Sequence, residues 1–225
     1  MLRLIAAAAA LAIIIAVLFP GNDAKPTAAA YGGHTLLIDA GHGGIDGGAE
    51  SADGIKESDV NLSVALKMSE LCKLLGIKHA MTREDANSIV PGEYSERAEL
   101  LARADMANGI DGCVLISVHQ NKYPSPNVKG AEVMYAGTTG SRDLGLMAQE
   151  NLVSALDKQN RRVAHPAPEE LLLTSRVECP AILAECGFMS NPQEASQLAD
   201  DTYQMKIALS LTAAFVRWCG EAGAA

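Results

Sequence analysis

Three short apolar segments of the chain each lead into a side chain that could act in hydrolysis or bind a metal ion. The segments and side chains are residues 36–40 with His42, residues 113–118 with His119, and residues 181–184 with Glu185. Apolar runs of this length, bounded by glycine or polar residues, are typical of buried strands. Ligands bind beyond the carboxyl ends of the strands in open α/β sheets, so the three side chains are candidates for a single site.

A second carboxylate, that of Glu57, lies close to the first histidine in the sequence. It follows His42 by fifteen residues and comes just before a predicted helix. Together with His119, these two residues would supply the three nitrogen and oxygen ligands of a catalytic zinc site, which keeps its fourth position open for water. The chain has no HExxH or CxxC motif. The spacing by itself therefore leaves a second interpretation open, in which the histidines are structural and the glutamate is solvated.

Strands and helices alternate through the rest of the chain. Further strands are predicted at 77–81 and 131–136, and helices from Ser58 or Asp59 to Leu75, from Ser95 to Asn108, at 144–157 and at 201–219. This alternation predicts one α/β domain, a sandwich with a mostly parallel, twisted central sheet of about six strands and helices on both faces. We expect this domain to span residues 31–225.

Local signals add detail to three of these elements. The residues of the second helix that we expect to face the core are Ala98, Leu101, Ala102 and Met106. Asn191 is the predicted N-cap of a helix near the end of the chain, with Glu194 as the reciprocal member of a capping box. Residues 161–170 are polar and contain proline, which indicates a surface loop.

The N-terminal segment has the composition of an export signal. Residues 4–19 are exclusively Leu, Ile, Ala, Val and Phe; they follow Arg3 and end at Pro20. A run of this length lies between a typical signal-peptide core and a full membrane span, so both a cleaved signal peptide and a retained membrane anchor fit. We assign residues 1–30 to this segment and a short linker, and we expect the protein to act outside the cytoplasm, either secreted or membrane-anchored.

Charge and cysteine content exclude some other functions. The formal net charge is −9 and the pI is about 5.0, which argues against nucleic acid as a partner because proteins that bind it usually carry a basic face. The five cysteines are an odd number. Three of them lie in apolar runs, so free buried thiols are favoured over a disulfide framework or a cysteine metal site.

Seven short motifs carry a resemblance to a known family. They are DAGHGGIDGGA at 39–49, KESDVNL at 56–62, TR at 82–83, RA at 97–98, SVHQN at 117–121, GAEV at 130–133 and ECGFMSN at 185–191. In this order they resemble the motifs of the zinc-dependent N-acetylmuramoyl-L-alanine amidases of the Amidase_3 type, which are bacterial cell-wall hydrolases. The resemblance extends over nearly all residues from Leu36 to Trp218.

The resemblance implies a cofactor, a substrate and a role for each candidate residue. By it, His42, Glu57 and His119 bind Zn²⁺, and Glu185 is the catalytic acid and base. The substrate is peptidoglycan, and the reaction hydrolyses the amide that joins the lactyl group of N-acetylmuramic acid to the L-alanine of the stem peptide. The alternatives are a zinc peptidase or carboxypeptidase that acts on wall peptides, and a catalytically silent wall-binding protein.

A subtype and several supporting residues complete the expectations. A single exported catalytic domain of this size resembles the amidases of endospore-forming bacteria that act on spore cortex and prepare muramic δ-lactam, and the need for an activating protein partner stays open.

Asp39 and Asp46 are expected to orient the loop around His42. Arg83 and Arg97 are predicted to be structural ion-pair partners, and Arg161 and Arg162 to be either solvated or in contact with a substrate carboxylate. The histidines expected to be structural or exposed are His34, His79 and His165.

Overall fold

The computed structural model describes residues 31–222 of the chain. Its strands are β1 (Thr35–Ala40), β2 (His79–Met81), β3 (Cys113–Asn121), β4 (Glu132–Tyr135), β5 (His165–Pro166) and β6 (Ala181–Phe188). Its helices are α1 (Glu57–Leu75), α2 (Glu96–Asn108), α3 (Ser141–Leu156), α4 (Leu172–Arg176), α5 (Pro192–Leu198) and α6 (Asp201–Ala222).

The strands form one sheet in the order β2-β1-β3-β6-β4-β5. β1, β2, β3 and β6 are parallel to one another, whereas β4 is antiparallel to β6 and parallel to β5. The last residues of β1, β3 and β6 therefore reach the same edge of the sheet, which we call the carboxyl edge. This arrangement confirms the predicted mostly parallel α/β sheet.

Alternate residues of β1 face two different helical layers. Leu36 and Ile38 pack in the core that contains α1, α3 and α6, whereas Leu37 packs with α2 and α4 on the opposite face. All three side chains are fully buried. A strand covered on both faces buries consecutive side chains, which explains the uninterrupted apolar run at residues 36–38 of β1.

The buried face of α2 differs from the predicted one. Its buried residues are Glu99, Arg103, Ala104 and Ala107, whereas Met106 is exposed and Ala98, Leu101 and Ala102 are half-buried. The prediction assigned only apolar residues to the core, but Arg103 pairs there with Asp39 of β1, 64 residues earlier in the chain. A charged group can occupy a core-facing position when it is paired there.

The start of α1 also differs from the prediction. The helix begins at Glu57, which precedes both predicted N-caps, Ser58 and Asp59. Its actual N-cap, Lys56, makes no side-chain capping hydrogen bond. Instead, the preceding loop supplies the acceptors, because Glu57 N donates to Ala49 O at 2.8 Å and Ser58 N donates to Gly47 O at 3.1 Å. These bonds satisfy backbone groups that a side chain would otherwise cap.

The capping box at α5 forms only in part. Asn191 accepts hydrogen bonds from Gln193 N and Glu194 N, as an N-cap should. Glu194 does not reciprocate: its carboxylate accepts from Gly130 N at 2.9 Å and from Phe188 N at 2.8 Å. It therefore connects the segment before β4 to the end of β6, a long-range contact that a local sequence rule cannot predict.

Three remaining expectations concern the N-terminus, the loop 161–170 and the cysteines. The export segment 1–30 lies outside the described residues, and no helix within 31–222 is long and apolar enough to cross a membrane. The loop contributes the two-residue strand β5 to the sheet. All five cysteines are free thiols and four of them are buried, as predicted.

Candidate active site

Sheet register brings two of the three predicted strand-end side chains side by side. His119 of β3 pairs directly with Glu185 of β6. Residues that are paired in this way project from the same face of a sheet. The third strand end, Ala40 of β1, pairs with Val118, and the glycine-rich turn that follows returns His42 to the face on which His119 lies. The rings of the two histidines have their centroids 4.9 Å apart.

The backbone and a neighbouring carboxylate orient His42. Within residues 31–222, His42 is the single non-glycine residue with a positive φ, at 61°, a conformation that is uncommon outside glycine and occurs at functional sites. Its Nδ1 lies 2.7 Å from Asp46 Oδ2. An ionised carboxylate can only accept, so Nδ1 carries the proton in this bond and Nε2 is left to face Glu57 Oε1, 3.3 Å away.

Glu57 is a buried carboxylate that is held from several sides. Its Oε2 accepts a hydrogen bond from Ala49 N at 2.8 Å, and its Oε1 accepts from Gln120 N at 2.9 Å. Asn61, one turn further along α1, donates to Oε1 at 3.3 Å. Burial alone would raise the pKa of Glu57, but hydrogen bonds and charge from His119 and His42 outweigh it and lower this pKa. The carboxylate is therefore ionised and fixed in position.

His42, Glu57 and His119 form a cluster of potential metal ligands. One ligand atom from each lies within 4.8 Å of the others. Burial lowers the pKa of His42, but hydrogen bonds and charge from Glu57 and Asp46 raise it to about 9. A metal ion in the cluster would replace that proton as the positive partner of Glu57.

Glycine at two positions lets the backbone approach this cluster. A Cβ on Gly48, which has φ +66°, would lie 2.6 Å from Glu57 Oε2 and 2.7 Å from His42 Cδ2. A Cβ on Gly41 would overlap the ring of His119. These contacts explain why the turn after β1 is rich in glycine.

Glu185 lies beside the cluster without belonging to it. Its Oε2 is buried and has no hydrogen-bond partner within the described part of the chain. Burial raises the pKa of Glu185 to about 7, with opposing effects from the charges of His119 and Glu57. A carboxyl group with a pKa near neutrality can both accept and donate a proton, which is what a general acid and base requires.

Two arginines hold the turn that carries His42. Arg83 donates to Ala40 O at 2.9 Å and to Gly41 O at 3.1 Å, and Arg103 donates to His42 O at 2.8 Å. Arg103 also pairs with Asp39. The backbone of the turn is thus fixed by charged side chains from outside the loop.

We expect Asp39→Asn to lower the free energy of unfolding by about 3 kcal/mol, because it leaves the buried Arg103 guanidinium without its main counter-charge. Burial would raise the pKa of Asp39, but Arg103, Ser117 and Thr82 hold it below its usual 3.8. The ionised carboxylate therefore stabilises the fold above that pH, and the stabilisation is lost as pH falls through the lower folded-state pKa. Urea unfolding at neutral and at acidic pH measures both effects.

Asp201→Asn is the matched control for this experiment. Asp201 pairs with Lys67 but its side chain is 89% exposed, so the substitution should cost less than about 1 kcal/mol. An equal loss of stability in the two variants would contradict the stabilising role of the buried pair.

Other residues singled out from sequence take varied positions. Asp46 contacts His42 as predicted, whereas Asp39 reaches the His42 loop through Arg103. Arg83 makes hydrogen bonds to backbone carbonyls in place of the predicted ion pair, and Arg97 is exposed. The histidines outside the cluster contact Ser69 (His79), the carbonyl of Gly112 (His34) and Glu132 (His165).

Sequence reasoning missed two residues near the cluster. Arg103 follows Glu99 by four residues on the face of α2 that also carries Ala104 and Ala107, and this pairing of opposite charges beside small residues was the available signal. Tyr94 donates its hydroxyl to Asp46 Oδ2 at 2.9 Å. Its position in an irregular loop offered no periodic signal.

The fold is that of a family of cell-wall enzymes. The family model described as N-acetylmuramoyl-L-alanine amidase matches residues 36–216. The chain belongs to this family, and it is accordingly an amidase of bacterial peptidoglycan.

Individual relatives agree with this assignment. The germination-specific N-acetylmuramoyl-L-alanine amidase of Bacillus subtilis (strain 168) is 32% identical over 212 residues, which cover 91% of this chain and 88% of the relative. The CwlD amidase of Clostridioides difficile, solved in complex with the GerS lipoprotein, is similar with a TM-score of 0.76 and 34% identity, over 82% of this chain and 98% of that one. An N-acetylmuramoyl-L-alanine amidase from Clostridium difficile 630 has a TM-score of 0.72 and 30% identity, over 82% and 96% of the two chains.

Proposed function

We propose that the amidase is zinc-dependent and that His42, Glu57 and His119 are the zinc ligands. The observation that supports this most strongly is the convergence of these three side chains, whose ligand atoms lie within 4.8 Å of one another. Two imidazoles and a carboxylate are a donor set typical of catalytic zinc. The bond between His42 Nδ1 and Asp46 is the kind of outer contact that orients a histidine ligand.

Glu185 is the proposed proton-transfer residue. A zinc ion bound at such a site supplies a Lewis acid that polarises the scissile carbonyl and lowers the pKa of water. Glu185 takes a proton from the attacking water and returns it to the nitrogen of the leaving L-alanine, so the products are a muramoyl carboxylate and a peptide with a free amino terminus. Its pKa of about 7 suits both transfers at neutral pH.

The proposed setting is the spore cortex, outside the cytoplasm. The support comes from the relatives, one named as germination-specific in Bacillus subtilis and one solved with a lipoprotein in Clostridioides difficile. We further propose that this chain works with a protein partner of its own. The apolar run at 4–19 would serve as its export signal or anchor.

Digestion of purified peptidoglycan tests the reaction. Zinc-loaded protein is expected to release intact stem peptides with free L-alanine amino termini and to leave glycan strands without them, as measured by mass spectrometry of both fractions. A sample treated with a chelator should release neither product. Cleavage within the stem peptide would instead indicate a peptidase, and the amidase assignment would then be wrong.

A further inference from the structure

A row of charged side chains crosses three neighbouring strands at the active site. His119 of β3 is paired with Glu185 of β6, and Glu185 is paired in turn with Glu132 of β4. Directly opposed residues lie on the same face of a sheet, and neighbouring strands are about 4.8 Å apart. The row therefore runs from the zinc cluster past Glu185 and ends about one strand beyond it, at Glu132.

Arg162 continues this row and is held there by three contacts. Its Nη1 donates to Glu132 Oε2 at 2.9 Å and its Nε donates to Lys129 O at 3.2 Å. Its guanidinium carbon lies 4.9 Å from the centroid of the Phe188 ring. The contacts fix the plane of the guanidinium, so little side-chain entropy would be lost when the group binds a ligand.

The remaining nitrogen of Arg162 is free to bind a ligand. Across residues 31–222, Nη2 has no hydrogen-bond partner, and the side chain is 29% exposed. Arg162 lines a pocket together with Lys129, Asn160 and Arg161. The pocket contains three cationic side chains against one carboxylate, that of Asp157, although the chain as a whole carries a net charge of −9.

We propose that Arg162 binds a free carboxylate on the second residue of the stem peptide and so makes the enzyme selective for acidic muramoyl peptides. This inference rests on the proposed amidase reaction. A planar guanidinium with donors to spare matches a carboxylate better than any neutral group. One residue of extended peptide spans about 3.5 Å, so a carboxylate on the second residue lies roughly 7 Å beyond the scissile nitrogen. The path from Glu185 to Arg162 has a similar length, because it consists of one strand spacing from Glu185 to Glu132 and the ion pair between Glu132 and Arg162.

Glu132 has a supporting part in this arrangement. It is shared by Arg162 and by His165, whose Nε2 lies 3.4 Å from Glu132 Oε1. One carboxylate positions the guanidinium without using its Nη2 donors. Glu132 is thus a positioning residue, whereas Arg162 would touch the substrate.

The test compares two disaccharide peptides that differ only at the second stem residue, which carries a free α-carboxylate in one and a carboxamide in the other. Wild-type enzyme should cleave the acid with a kcat/KM about 10-fold to 100-fold higher, the usual scale for a charge-assisted hydrogen bond. In Arg162→Gln this ratio should fall close to one, mainly through a higher KM for the acid. Arg162→Lys should retain part of the preference.

Each ratio is measured within one protein sample, so partial loss of folded enzyme cancels. Arg142→Gln is the control: Arg142 is exposed near the start of α3, which follows the antiparallel strand β4 and so lies at the edge opposite the carboxyl edge. The Arg142→Gln variant should keep the wild-type ratio.

An unchanged preference in Arg162→Gln, or no preference in the wild type, would overturn the carboxylate site alone. If the wild type cleaved neither peptide and released no stems from peptidoglycan, the proposed reaction would fail, and this inference with it.

Discussion

Replacing Glu185 with glutamine is expected to lower the turnover of peptidoglycan by about 100-fold or more, the usual scale for loss of a general acid and base. Glutamine keeps the shape of the side chain but can neither accept the proton of the attacking water nor return it to the leaving nitrogen. Because Glu185 lies beside the three-residue cluster and not within it, the variant should keep its zinc. Stem-peptide release measures turnover, and metal analysis of the purified protein measures zinc content.

Two further variants make this result specific. Glu169→Gln changes an exposed glutamate and should leave turnover unchanged. Glu57→Ala removes a proposed ligand and should lower both zinc content and rate. If Glu185→Gln lost its zinc while Glu57→Ala kept it, the two roles would have to be exchanged. Near-normal turnover in Glu185→Gln would exclude it as the proton-transfer residue.

Replacing His119 with alanine is expected to abolish zinc retention and activity together. The substitution removes one of three proposed ligands and also the imidazole that lies 3.0 Å from Glu57 Oε1. Loss of an outer hydrogen-bonding partner typically weakens metal affinity by about 10-fold to 100-fold, and loss of a ligand should exceed that. Calorimetric titration of the metal-free protein with zinc measures the change in zinc affinity.

His34→Ala provides the matched histidine control. His34 contacts the carbonyl of Gly112 and the ring of Trp218, away from the cluster, so its replacement should leave zinc binding intact. Asp46→Asn should fall between the two, since Asp46 contacts His42 but is not itself a proposed ligand. Full activity of the wild type after exhaustive chelation would contradict the metal hypothesis outright.

The strand ends were predictable because their signal is local. Each buried strand begins as a short apolar run that reaches a glycine or a polar residue, although β3 and β6 continue past His119 and Glu185. A chain that alternates such runs with helices forms a parallel sheet with its strand ends on one edge. His119 and Glu185 could therefore be assigned to one edge from sequence. The proposed role of Glu57 had weak support from its position shortly after His42 and before a helix, and stronger support from the resemblance, since its local sequence also fits a solvated glutamate.

Local rules failed where a distant partner determined the environment. Arg103 faces the core of the fold because it pairs there with Asp39, which lies 64 residues away in the chain. Glu194 does not cap its own helix because its carboxylate accepts hydrogen bonds from the backbone N–H groups of Gly130 and Phe188. Periodicity and capping rules consider a single segment, so they cannot include the charge or the donor that another segment brings.

The sequence alone determined which chemical groups stand at the strand ends: two imidazoles, a glutamate and a turn of glycines with room for them. Tertiary structure decided how far apart they are and which neighbours they have. Burial and the charges around it set the pKa of Glu185 to about 7, and the register of β4 against β6 placed Glu132, and through it Arg162, in line with the site. Residue type is a local property. The distances between side chains, their burial and the electrostatic field around them depend on contacts between segments far apart in the chain, and such contacts exist only in the folded state.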